Sequence, residues 1–297
     1  MIAIGIDIGA TSMKAGLVSD SGTVTMERSF PLGEGSSNET ILSGLRELVQ
    51  NLIPHKPVGI GIGSPGPLLA DSGVLLSSAN LPKVQNLPLK ACLEEEFGLP
   101  VLYQNDANCA ALAESLFGKS ADWDSCLFLT LGTGIGGGYV EKGKLFGGFE
   151  GNGFELGHTT VVIDGALCGC GHKGCVEAYF SSRGFQNRYR ERSGTDLPLA
   201  KDFFQRVSSG DKVAKEILDE GVLCLAEALR NAVHLVNPEG IVFVGGITEA
   251  WNLFGEDLEK RLRSSLFPIL EKRLKIAIGL PQAGIVGAAS LFFLPKV

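Results

Sequence analysis

The 297-residue chain has no run of about 18 or more apolar residues, so no membrane span is expected. It has no basic excess. Lys and Arg number 26 against 33 Asp and Glu, and the net charge of -7 argues against a general nucleic-acid binder. The opening "MIAIGIDIGATSMKAGLV" lacks a basic n-region and is interrupted at Asp7, so no targeting signal is read and a cytoplasmic location is expected. No GxxxxGK[ST] occurs, and no GxGxxG opens a helix after a strand, which excludes a Walker loop and a Rossmann fingerprint. Cysteine is scarce, with seven in all. Cys92, Cys109, Cys126 and Cys224 are scattered among apolar neighbours and read as buried filler.

The remaining three cysteines fall within eight positions of "FELGHTTVVIDGALCGCGHKGC", Phe154 to Cys175. In a reducing compartment such clustering points to metal rather than to disulfides. His158, Cys168, Cys170 and Cys175 offer three thiolates and one imidazole, a full tetrahedral shell for zinc with no vacant position, hence a structural ion. His172 lies in the same knot and is a rival imidazole. Glu155 and Glu177 stand just before and just after the knot, which would fix both. Carboxylates there are suited to accept hydrogen bonds from the hydroxyls of a sugar.

The chain reads as α/β with an internal repeat of architecture. Residues 2–8, "SMKAGLVS" and "TVTMERSF" form a strand meander. A helix fits 38–53, capped by Ser37 or Asn38. "PVGIGIGS" and "LPVLYQ" read as strands, and "NDANCAALAESLFG" as a capped helix. "DSCLFLTLGTGIGGGYVEKGKLF" repeats the strand, turn, strand opening. Helices are expected over about 211–235 and 251–272, strands at 240–246 and "KIAIG", and a last helix in "AGIVGAASLFFL". The boundary is placed so that 1–118 form one domain and 119–297 a second, with a metal-binding insertion at about 155–180 and the helix at 283–297 able to pack back on the first.

Two Gly/Thr turns occupy equivalent places in this repeat. "DIGATSMK" holds Asp7, Gly9, Ala10, Thr11 and Lys14, and "LGTGIGGG" holds Gly132, Thr133, Gly134, Gly136 and Gly137. Backbone N–H groups of such turns can approach a phosphate closely. Either turn alone could be a plain β-hairpin. Asp7, at a strand end, can position Mg²⁺ through water. "VGGI", with Gly245 and Gly246, could hold a nucleoside or simply join strand to helix. In "QNDAN" Asp106 sits at a strand-to-helix junction, the sharpest candidate for catalysis, with Asn105 placed to orient a substrate hydroxyl. Either residue could instead be only a helix N-cap. The loops "GSPGPL", with Ser64 and Gly66, and "SSANLP", with Ser78 and Asn80, could line a polar ligand site.

Together "DIGATSMK", "GIGSPGPL", "NDAN", "LGTGIGGG", "ELGH", "CGCGHKGC" and "VEAYFS" resemble the ROK family (repressors, open reading frames, sugar kinases) over essentially the whole chain. That resemblance implies a duplicated actin-like (ribonuclease H-like) two-domain fold with an interdomain cleft. It implies ATP, Mg²⁺ and structural Zn²⁺, with Asp106 as the base for a sugar hydroxyl attacking the γ-phosphate. Asn105, Glu155, His158 and Glu177 would bind the sugar, and the two Gly turns the phosphates. His158 would serve twice, one ring nitrogen on zinc and the other toward the sugar, which favours it over His172. The implied activity is that of a glucokinase-like hexose kinase acting on the 6-OH of glucose. N-acetylmannosamine, N-acetylglucosamine and fructose are alternative acceptors, and a sugar-responsive transcriptional regulator is the other family role. Family repressors carry an added N-terminal helix-turn-helix, for which a first strand at residue 2 leaves no room. The family's habit is a homodimer or homotetramer.

Overall fold

The first strand has different partners on its two faces. In β1 (Ile2–Ile8) the period of two sends Ile4, Ile6 and Ile8 into the main apolar cluster and leaves Gly5 and Asp7 on the other side. β2 (Ser12–Ser19) and β3 (Val24–Pro31) complete an antiparallel meander with it. α1 (Asn38–Gln50) is capped by Ser37, whose hydroxyl accepts from Thr40 N–H. Asn38 is not the cap; its amide exchanges two hydrogen bonds with the backbone of Gln85. The helix ends before the expected residue 53, because Pro54 has no N–H to donate to Gln50 O and its ring crowds that carbonyl, and a separate 3-10 turn forms at Ile53–His55. Ile41, Leu45 and Leu48 of α1 fill the cluster over β1, each contributing about 1.5–3 kcal/mol by full burial.

β4 (Ile60–Ser64) lies parallel to β1. β5 (Leu68–Leu69), β6 (Val74–Ser77) and β7 (Gln85–Leu87) form a small antiparallel sheet where only connecting loops were expected. α2 (Leu89–Phe97), β8 (Val101–Asn105) and α3 (Asp106–Phe117) follow. β9 (Ser125–Leu131), β10 (Ile135–Glu141) and the two-residue β11 (Lys144–Leu145) repeat the opening meander. α4 (Ser182–Ser193) and α5 (Ala200–Ser208) follow. Then come α6 (Lys212–Val236), β12 (Gly240–Val244), α7 (Gly255–Ser265), α8 (Pro268–Arg273), β13 (Lys275–Ile278) and α9 (Ala283–Ser290). The single helix expected over 251–272 is thus broken. Leu266 and Phe267 are extended, as the residue before Pro268 prefers, and a 3-10 stretch at Gly246–Leu253 precedes α7.

This computed structural model describes residues 1–33, 35–78, 81–280 and 282–294. Its five-stranded sheets run β3-β2-β1-β4-β8 and β11-β10-β9-β12-β13, the same order twice. Duplication is therefore visible in topology. The chain forms two compact units, the first comprising Met1–Phe128, Gly138–Phe154 and the segment from Gly279, the second Leu129–Gly137 and Glu155–Ile278. The chain passes from one to the other within β9, after Gly137, after Phe154 and after Ile278.

In the first unit α9 packs on the face of β1 and β4 opposite α1. Missing side chains allow this. A Cβ at Gly5 would collide with Ile285 O, one at Gly61 with Ala288 O, and one at Gly287 with Cys109 O of α3. Among the described residues no helix is long and apolar enough to cross a membrane.

Candidate functional site

In the first unit Asp7 lies at the end of β1, directly opposite Lys14 of β2. Burial pushes its carboxyl up to about 6, and the Lys14 charge works the other way. The carboxylate lies against Gly284 in the first turn of α9, where a Cβ would collide with it. No sequence motif marks Gly284. The turn Gly9–Ala10–Thr11 closes the β1–β2 hairpin, with Gly9 N–H donating to Ser12 O at 2.9 Å and Thr11 O accepting from Leu32 N–H at 2.8 Å. The hairpin reading therefore holds for this turn, whatever else it does.

Asn105 is the N-cap of α3. Its Oδ1 accepts from Ala107 N–H (2.9 Å) and Asn108 N–H (3.2 Å). Capping and function are not exclusive, since capping occupies the oxygen while Nδ2 lies toward Gly66. Asp106 is the first residue of α3, half-buried, at the end where the helix dipole favours negative charge. Its Oδ1 accepts from Ala107 N–H at 2.8 Å. Behind it, Ser64 and Tyr103 share a buried hydroxyl pair at 2.5 Å. Gly66 precedes a cis peptide bond to Pro67. Asn152, unflagged by any sequence motif, holds this loop by two bonds to Leu68, from Leu68 N–H at 3.0 Å and to Leu68 O at 2.8 Å. Ser78 is buried and its carbonyl accepts from Leu81 N–H. Asn80 lies outside the described residues.

In the second unit the Gly132–Gly137 turn follows β9, closed by Gly132 N–H to Gly134 O at 3.0 Å. Gly136 N–H donates to Thr130 Oγ1 at 3.0 Å. Gly245, at φ +100°, approaches the backbone of Leu131 so closely that a Cβ would meet its oxygen at 2.5 Å. That approach puts the third turn beside the second, and Gly246 next to it has open space where a side chain would be.

Four donors meet in the second unit. One ligand atom each of His158, Cys168, Cys170 and Cys175 lies within 4.8 Å of the others; His172 is not part of the group. Cys170 Sγ and Cys175 Sγ are 3.7 Å apart, as are Cys168 Sγ and His158 Nδ1. A tetrahedral zinc ion with its usual bond lengths needs edges of about 3.8 Å. The donor set and spacing fit zinc. Burial pushes the Cys168 and Cys175 thiols up, and a bound dication is what deprotonates such groups. His158 turns Nδ1 to the sulfurs, which leaves Nε2 for another partner.

Glu155, His158 and Glu177 are electrostatic neighbours. Burial raises the Glu155 carboxyl, His158 lowers it and Glu177 raises it. Glu177 is also committed locally, for its Oε2 accepts from Ile135 N–H at 2.9 Å.

A family model described as "ROK family" matches residues 3–293. The chain belongs to the ROK family. It is 32% identical to a glucokinase of Thermotoga maritima over 97% of this chain and 96% of that protein. It is 30% identical to a xylose repressor of Caldicellulosiruptor bescii over 93% of this chain and 73% of that one. The crystal structure of a ROK family glucokinase from Streptomyces griseus in complex with glucose and AMPPNP superposes with a TM-score of 0.85 at 29% identity, covering 98% of this chain and 99% of that one. These ROK structures have the two-domain actin-like ATPase fold, and this chain shares it.

Proposed function

We propose that this protein transfers the γ-phosphoryl group of ATP to a hydroxyl of a hexose, with the 6-OH of glucose as the leading acceptor. The observation that carries the reading is Asp106, a half-buried carboxylate in the first turn of α3, in a chain aligned end to end with glucokinases. Asp106 accepts the acceptor's proton as the hydroxyl oxygen attacks. Its role is that of a positioned base in a reaction governed by orientation and charge. Asn105 Nδ2, the Gly66 loop, Ser78, Glu155, His158 Nε2 and Glu177 bind sugar hydroxyls. The turns Gly9–Thr11 and Gly132–Gly137 bind phosphate, and Gly245 and Gly246 border the nucleoside.

Asp7 would hold Mg²⁺ through water. Its carboxylate, at the end of β1, is the oxygen donor such a hydrated ion needs, and Mg²⁺ when bound would neutralise phosphate charge. Zinc would be held by His158, Cys168, Cys170 and Cys175 and would supply no reactive position, only rigidity.

A second reading, a sugar-responsive regulator, draws on the likeness to a xylose repressor. N-acetylglucosamine, N-acetylmannosamine and fructose remain acceptors to weigh against glucose. The test is ADP release with Mg-ATP against glucose, N-acetylglucosamine, N-acetylmannosamine, fructose, mannose and allose, with Asp106→Asn as control. Turnover on one sugar, lost in the variant, supports the kinase and names its acceptor. No turnover from folded, zinc-loaded protein, together with measurable sugar binding, would refute it in favour of the regulator.

A further inference from the structure

The turn after β9 is gripped from several directions, and four of these grips come from segments bordering the Cys/His cluster. Ser182 N–H and Arg183 N–H, which open α4, donate to Gly132 O (2.9 Å) and Thr133 O (3.4 Å). Glu177 Oε2 accepts from Ile135 N–H at 2.9 Å. Gly157, next to His158, lies so close to Ile135 O that a Cβ there would collide with it. Gly134 lies against Glu177 Oε2 in the same way. The other oxygen of that carboxylate, Oε1, is 3.6 Å from Cys168 Sγ. One side chain therefore touches both a peptide of the turn and a sulfur of the cluster.

We infer that Glu177 is a positioning residue for the phosphate-binding turn, coupling the order of the metal knot to nucleotide affinity through Ile135 N–H. The inference rests on the kinase reading above. It adds that the knot braces the nucleotide side as well as the sugar side. The physics is preorganisation. A turn that presents N–H groups to phosphate must keep its carbonyls turned away, and α4 takes up those of Gly132 and Thr133. Glu177 then fixes the exit of the turn by a charge-assisted bond, stronger than a neutral one. A turn already ordered loses less entropy when the nucleotide binds.

The distinctive consequence is a nucleotide effect with no sugar present. The experiment is calorimetric binding of Mg-AMPPNP and Mg-ADP, without sugar, to wild type, Glu177→Ala, Gly134→Ala and the double variant, with zinc content measured on each sample. Each single variant is expected to weaken nucleotide binding about tenfold, the worth of one hydrogen bond to a charged group. The double variant should be little worse than either single one, because the collision at Gly134 requires the Glu177 carboxylate. Hydrogen exchange at the Ile135 amide should quicken in Glu177→Ala. Nucleotide affinity unchanged in either single variant would overturn the inference and leave the kinase reading standing. Gly134→Ala keeps all four metal donors, so loss of zinc from Glu177→Ala would not shelter the inference. A zinc-loaded wild type that binds no nucleotide would instead overturn the kinase reading, and this inference with it.

Discussion

Asp7→Asn should make the metal-free protein more stable while removing its activity. Burial moves the Asp7 carboxyl from 3.8 to about 6. At about 1.36 kcal/mol per unit, a shift of this size corresponds to about 3 kcal/mol at most between the two protonation states. Asp7 is half-buried rather than sealed, so about 1–3 kcal/mol is the working figure. The sign follows from proton binding. Between 3.8 and about 6 the folded state holds the proton more tightly than the unfolded state, so this group's contribution to stability falls as pH rises through that window. Below 3.8 the carboxyl is neutral in both states and Asn should match Asp. Above about 6 the full penalty applies to Asp alone. The assay is urea unfolding in metal-free buffer from pH 4 to 8. The chain has two tryptophans, so a Trp251→Phe background leaves Trp123, in the first unit with Asp7, as the reporter. A stabilisation by Asn that grows between pH 4 and 6.5 and then levels off is expected. A pH-independent difference, or a destabilised Asn variant at pH 8, would refute the reasoning.

Asp106→Asn should lower kcat by about 10²–10⁴-fold while glucose affinity, measured by titration calorimetry, stays within a few-fold of wild type. Cys170→Ser removes one of four donors, and should lose most bound zinc by elemental analysis and weaken sugar binding together with thermal stability. Gly287→Ala drives a Cβ into Cys109 O between α9 and α3, and should cost about 1–3 kcal/mol in urea unfolding without changing metal content.

Much of the site is legible in local sequence because its chemistry is local. Three cysteines within eight positions and a histidine ten residues earlier can reach one ion with little help from the rest of the chain, and the structure gathers those four. A cap residue before a helical period marks the β8–α3 junction, and Asn105 and Asp106 sit there. The repeated strand–turn–strand opening is a short-range pattern, and the two sheets share one strand order. Elements set by weaker signals are harder to read. β5 to β7 are two to four residues each, too short for period two to show, and the helix expected over 251–272 ignored the restraint Pro268 places on its predecessor.

What the amino-acid order determines by itself is therefore the set of chemical groups and their neighbours along the chain: the donors of the knot, the capped carboxylate, the glycine turns, and family membership through their combined order. Tertiary structure alone decides which distant residues share a peptide or a carboxylate. Asn152 reaches Leu68 across 84 residues, Gly284 makes room for Asp7 from the far end of the chain, and Glu177 closes on Ile135. No periodicity encodes such pairs. They arise because glycine and alanine faces let α9 and α3 approach closely, and because a loop can meet whatever backbone the packed elements bring beside it.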